Sequence, residues 1–236
     1  MENNKTKRES PFISLIINIV IPVVILSKFS TAQYLGPKLG LAIALSFPLL
    51  FGIFSFYRER KANFISIIGF ISVFLTGIIG VFEFPSEWIA YKEAFVPFVI
   101  GVVILVSMKT RFPLVQKIVY NEQIMDMETI NERLNAPDAP ADSQQRVRRM
   151  LQTASYLVAA SFGLSTVLNF TLAKLIIHSP SGTEAFAQEM GRMTALSYPV
   201  IALPSTIVLI IAIIYVYKTL SRLTGLPFEK LFRKDL

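Results

Sequence analysis

Along the chain, apolar positions gather into six runs, each bounded by charge, and these predict helices over about 11–28, 35–57, 63–82, 87–108, 150–177 and 193–217. A hydrocarbon core of about 30 Å needs roughly 20 helical residues at about 1.5 Å each. Five of the runs reach that length as they stand or nearly so. The fourth, charge-free only from Ala94 to Met108, reaches it when extended back through Trp88 and Tyr91, two interfacial aromatics, which sets Lys92 about one turn inside the boundary.

The runs pair into three hairpins, 11–57, 62–108 and 150–217, each going out and returning. Every returning helix carries proline (Pro48, Pro97, and Pro199 with Pro204) and ends in a polar basic exit at Tyr57-Arg58, Met108-Lys109-Thr110 or Tyr217-Lys218-Thr219. Similar short segments follow the last two exits: Phe112-Pro113-Leu114-Val115-Gln116-Lys117-Ile118 and Leu226-Pro227-Phe228-Glu229-Lys230-Leu231. Proline in a first turn, then basic and bulky apolar residues, predicts helices lying in the cytoplasmic interface on anionic lipid, with a frayed basic tail as the alternative.

The polar stretch 121–149 reads as a cytoplasmic linker, with a short helix over Asn121–Asn135 and a break at Ala136-Pro137-Asp138-Ala139-Pro140. Asp142 or Ser143 is placed to cap the helix that leads through Arg146, Arg148 and Arg149 into the fifth run. The expected fold is all-α: a single integral membrane domain over 1–236, with about six transmembrane helices arranged as three hairpins.

Composition supports this class. The chain is 53% hydrophobic and 17% charged, with mean hydropathy +0.55, too apolar for an ordinary soluble domain. Cysteine is absent and there is one histidine, which excludes disulfide frameworks, thiolate catalysis and Cys/His zinc sites. The net charge of +7 sits at the ends of apolar runs rather than along one face with interleaved aromatics, so nucleic acid is not the expected partner. Of 23 Lys and Arg, only Lys28, Lys38, Lys92, Lys174 and Arg192 fall on the side opposite the N-terminus. That asymmetry places both termini in the cytoplasm, in a bacterial inner membrane. A secretory signal peptide is the competing reading of Lys5, Lys7 and Arg8 before an apolar run. The run's length, Asn18, Pro22 and Lys28 favour an uncleaved first span instead.

Candidate chemistry is sparse. The charge-free runs hold no carboxylate, which argues against a proton relay. His178 falls in an evident turn, His178-Ser179-Pro180-Ser181-Gly182. Asn18 and Asn169 are the polar groups placed deepest, fit either for an interhelical hydrogen bond of about 1 kcal/mol or for a substrate contact. The cations Lys38, Lys92, Lys174 and Arg192 can snorkel and pair with Glu83, Glu87, Glu93, Glu184 and Glu189. Alternatively, helices kinked at Pro97 and Pro199 let Lys92 and Arg192 line an outward cavity for an anionic headgroup. No nucleophile constellation, phosphate loop or metal site is recognisable, so neither catalysis nor a cofactor is expected.

Three stretches together resemble the intracellular septation protein A family, small inner membrane-spanning envelope proteins. They are Trp88-Ile89-Ala90-Tyr91-Lys92 opening a span, Lys109 with Arg111-Phe112-Pro113-Leu114-Val115-Gln116-Lys117 after it, and Gly163-Leu164 with Leu168-Asn169. The resemblance runs from about Phe47 to Tyr217, with an added N-terminal span and a longer central segment marking a divergent relative. It implies a non-catalytic role in envelope maintenance or septation, through contacts with other inner-membrane proteins or with itself. A small transporter or lipid-headgroup carrier is the alternative.

Overall fold

The computed structural model describes residues 15–59, 64–111, 113–120, 125–137 and 139–232. Expectations resting on Lys5, Lys7, Arg8, Arg60, Lys61, Phe112, residues 121–124, Asp138, Arg233 and Lys234 lie outside the described residues. The fold is all-helical. Its elements are α1 (Ile16–Phe29), α2 (Pro37–Glu59), α3 (Phe64–Val81), α4 (Trp88–Ser107), α5 (Leu114–Val119), α6 (Met127–Leu134), α7 (Ser143–Ile176) and α8 (Glu184–Thr224), then a 3-10 turn at Phe228–Leu231.

Among the described residues, four helices are long and apolar enough to cross a membrane: α2 over Pro37–Phe54, α4, α7 and α8. Two shorter apolar helices accompany them, α1 and Phe70–Val81 of α3. On α8 the large side chains Leu203, Ile207, Ile210, Ile211, Ile213 and Ile214 are all exposed. Bulky apolar groups bare over successive turns suit a lipid solvent, where helices satisfy their own backbone. The fold is that of a membrane protein in these respects.

Two helices start earlier than hydropathy alone suggests. Helix α7 begins at Ser143, where Ser143 Oγ donates to the Pro140 carbonyl at 2.5 Å and Arg146 N–H to the Asp142 carbonyl at 2.9 Å. Helix α8 begins at Glu184, with Thr183 as its N-cap accepting from Phe186 N–H at 3.2 Å. Charge at Glu184, Glu189 and Arg192 ends the apolar run there, but a helix needs only one apolar face, and Phe186, Ala187, Met190 and Met193 supply it. Pro199 does not break α8. Proline lacks an N–H and crowds the preceding turn, and here the helix widens into a π turn over Tyr198–Ala202.

The chain forms two compact units. The first comprises the described residues of Met1–Val96 and Leu168–Ile201, around a core that includes Leu26, Leu41, Ala44, Ile89, Phe186 and Met190. Helix α1 packs against α2 and the first part of α8, and α2 packs against α3. Gly80 permits the tightest approach, since a Cβ there would collide with Leu41 and lie 3.1 Å from the Phe186 ring.

The second unit comprises the described residues of Pro97–Val167 and Ala202–Leu236. Its core joins Val115 of α5, Ile130 and Leu134 of α6, Val147 and Met150 of α7, and Val216 and Leu220 of α8 to Met125, Leu226 and Leu231. The polar stretch expected to be a linker thus contributes packing. Asp126 caps α6, its carboxylate accepting from Thr129 N–H at 3.1 Å, and its own N–H donates to the Leu231 carbonyl at 3.0 Å.

Candidate functional site

The first unit gathers most of the residues that carry candidate chemistry. Lys92 lies one turn into α4, with its side chain only 9% exposed. Its ammonium has three hydrogens to place. They meet Ser72 Oγ at 3.1 Å and the Ser72 carbonyl at 3.3 Å, both on α3, and Glu93 Oε1 at 2.6 Å. Thr76 Oγ1 donates to the same Ser72 carbonyl at 3.1 Å. The long stem of lysine lets the charge reach back to α3, so a cation expected at the interface joins two helices instead.

Lys38 opens α2 and pairs with Glu83 at 2.6 Å. Both side chains are 54% exposed, so the pair contributes about 0–1 kcal/mol. Glu83 sits at φ +58, a left-handed conformation uncommon for a side-chain-bearing residue. Its side chain lies against Gly182, which itself has φ +81 and where a Cβ would be 2.7 Å from Glu83 Cγ. The turns before α4 and α8 meet at this point.

Lys174, exposed near the end of α7, lies 5.8 Å from the centre of the Tyr91 ring. Tyr91 stands edge-on to Phe170 at 5.6 Å and to Trp88 at 6.2 Å. This cation on an aromatic cluster has the character of an interfacial anchor. Arg192 is exposed on α8, and no contact joins it to Lys92 among the described residues. Asn18, in the first π turn of α1, and Asn169, in α7, are each half-buried and each engaged in an interaction.

Two carboxylates do work that the sequence does not signal. Glu189 accepts from His178 N–H at 3.1 Å, Ser179 N–H at 3.0 Å and Ser179 Oγ at 2.8 Å, and so clamps the turn before α8. Glu184 accepts the Ala32 N–H at 3.2 Å and ties that turn to the segment after α1. His178 is exposed, with Nδ1 3.3 Å from the Ile176 carbonyl. Glu93, one of the acids expected to pair with the candidate cations, is the one that Lys92 reaches.

Among the described residues no group of three or more His, Asp or Glu is placed to hold a metal ion. Comparison with protein-family models, with curated proteins and with solved structures finds no match to this chain.

Proposed function

We propose that this chain is a six-span bacterial inner-membrane protein, its helices paired as hairpins over 11–57, 62–108 and 150–217, with both termini cytoplasmic. It acts without catalysis in envelope maintenance or septation, through contacts with other inner-membrane proteins or with copies of itself. The observation that favours this reading over the carrier alternative is the set of partners around Lys92, the most buried of the four candidate anion-binding cations. An ammonium held by its own helices braces the fold, and this weighs against a carrier in which Lys92 receives an anion. The septation reading rests on the resemblance at Trp88–Lys92 and Lys109–Lys117. The orientation rests on the distribution of Lys and Arg.

A C-terminal fusion to a fluorophore that matures only in the cytoplasm, imaged in dividing cells, tests this reading. Fluorescence concentrated at division sites is the expected result. A uniform rim removes the septation role while leaving the orientation intact, and darkness with full-length protein present overturns the orientation.

A further inference from the structure

Helices α4 and α8 end in the same device. After α4, Ser107 Oγ donates to the Ile104 carbonyl at 2.7 Å and accepts the Leu114 N–H at 3.2 Å. After α8, Ser221 Oγ donates to the Leu226 carbonyl at 2.6 Å, and Leu226 N–H donates to Thr224 Oγ1 at 3.3 Å. Each hydroxyl latch turns the chain back so that one apolar side enters the core of the second unit: Val115 in α5, and Leu226 with Leu231 around the 3-10 turn. The two segments that look alike in sequence are therefore alike in how they are held.

Their other sides stay exposed. Ile118 is 64% exposed, Phe228 54% and Leu114 37%. The cations Lys109, Arg111, Lys117, Lys218, Arg222 and Lys230 around them in the chain are exposed as well. No acid occurs between Met108 and Tyr120, and Glu229 is the only one between Lys218 and Lys230. Bulky apolar side chains amid exposed cations, next to the ends of two long apolar helices, match the headgroup layer of a bilayer. The apolar groups enter the top of the acyl region while Lys and Arg meet lipid phosphates.

We propose that Leu114–Val119 and Phe228–Leu231 form one platform seated in the headgroup layer of a leaflet containing anionic phospholipid. Charge complementarity selects that occupant: between Met108 and Tyr120 and from Lys218 to Lys230 the chain carries six cations and one acid, an excess that an anionic leaflet matches and a neutral protein surface does not. The platform rests on the membrane reading above and adds to it a lipid class.

Because the chain lacks cysteine, Ile118→Cys and Ile207→Cys can each carry an environment-sensitive fluorophore on the full-length protein. The protein is reconstituted in phosphatidylcholine vesicles with a minority of phosphatidylglycerol, and lipid brominated both near the top and near the middle of its chains is supplied with one headgroup or the other. The Ile207 probe, on the exposed face of α8, should be quenched equally by both. The Ile118 probe should be quenched too, but roughly twofold or more in favour of brominated phosphatidylglycerol. Replacing Arg111, Lys117 and Lys230 together with Gln should remove that preference while the Ile207 signal persists. Equal quenching of the Ile118 probe by both headgroups overturns the anionic preference. An unquenched Ile118 probe beside a quenched Ile207 probe overturns the platform alone and assigns this face to a protein partner or a second copy. An unquenched Ile207 probe overturns the membrane reading itself.

Discussion

Lys92 Nζ lies 3.1 Å from Ser72 Oγ and 3.3 Å from the Ser72 carbonyl, so a cation of α4 is held by the backbone and side chain of α3. With the Lys92 side chain 9% exposed and Glu93 25% exposed, removing one charge strands the other in a poorly solvated place. Lys92→Met should cost roughly 2–4 kcal/mol, while Lys92→Met with Glu93→Gln should recover much of the loss. Thermal unfolding of the purified variants in detergent measures both, and a double variant no better than the single one would mean that the pair is not the origin of the effect.

Gly80 should tolerate no side chain. Valine there would strike Leu41 of α2, and its Cβ would press the Phe186 ring of α8 at 3.1 Å. Overpacking of this kind costs about 1–3 kcal/mol. Leu41→Ala should relieve Gly80→Val in part, so the two substitutions are expected to be non-additive in a double-mutant cycle.

The turn before α8 depends on one carboxylate. Glu189→Ala removes the acceptor of two backbone N–H groups and one hydroxyl. Amides of residues 178 and 179 should then exchange with deuterium faster, by a factor of roughly 10 if the charged hydrogen bonds contribute about 1.5 kcal/mol to local protection. Exchange on α7 away from this end should not change.

Acid should release the start of α7. The Arg146 guanidinium, donating to Asp142 at 2.9 Å, holds the Asp142 carboxyl below its usual range. A carboxyl depressed in the folded state adds stability above its unfolded value of about 3.9 and loses that contribution as pH falls through the folded value. The difference in melting temperature between the native chain and Asp142→Asn should therefore be constant near neutrality and shrink only under acid. Both side chains are exposed to solvent, so the difference should be small and should fade with salt.

The sequence reveals where helices lie more readily than which way their polar side chains turn. Helix α2 is legible because charge bounds its apolar run, α4 because Trp88 and Tyr91 extend a charge-free run too short by itself, and the start of α7 because Asp142 and Ser143 precede a long run free of proline. The first part of α8 is hidden, because Glu184, Glu189 and Arg192 interrupt hydropathy while the buried stripe through Phe186 and Met190 continues. Hydropathy registers the charge of Lys92 but not its direction, and only the placement of α3 shows that Ser72 receives it. Glu184 and Glu189 look like partners for outer cations, yet the turns beside them present unsatisfied backbone N–H groups, and proximity favours those. The latches at Ser107 and Ser221 are silent in sequence, since a serine near a helix end has many possible partners.

The number of crossings is the central claim, and Gln33 decides it. In an otherwise native chain, which contains no cysteine, single cysteines at Gln33, Glu87, Gln188, Thr110, Gln145 and Arg222 can be probed in intact cells with a membrane-impermeant maleimide. Six spans require Gln33 to react together with Glu87 and Gln188, and Thr110, Gln145 and Arg222 to react only after permeabilisation. If α2, α4, α7 and α8 alone crossed, Gln33 would be protected along with Thr110, and the three-hairpin arrangement would be wrong.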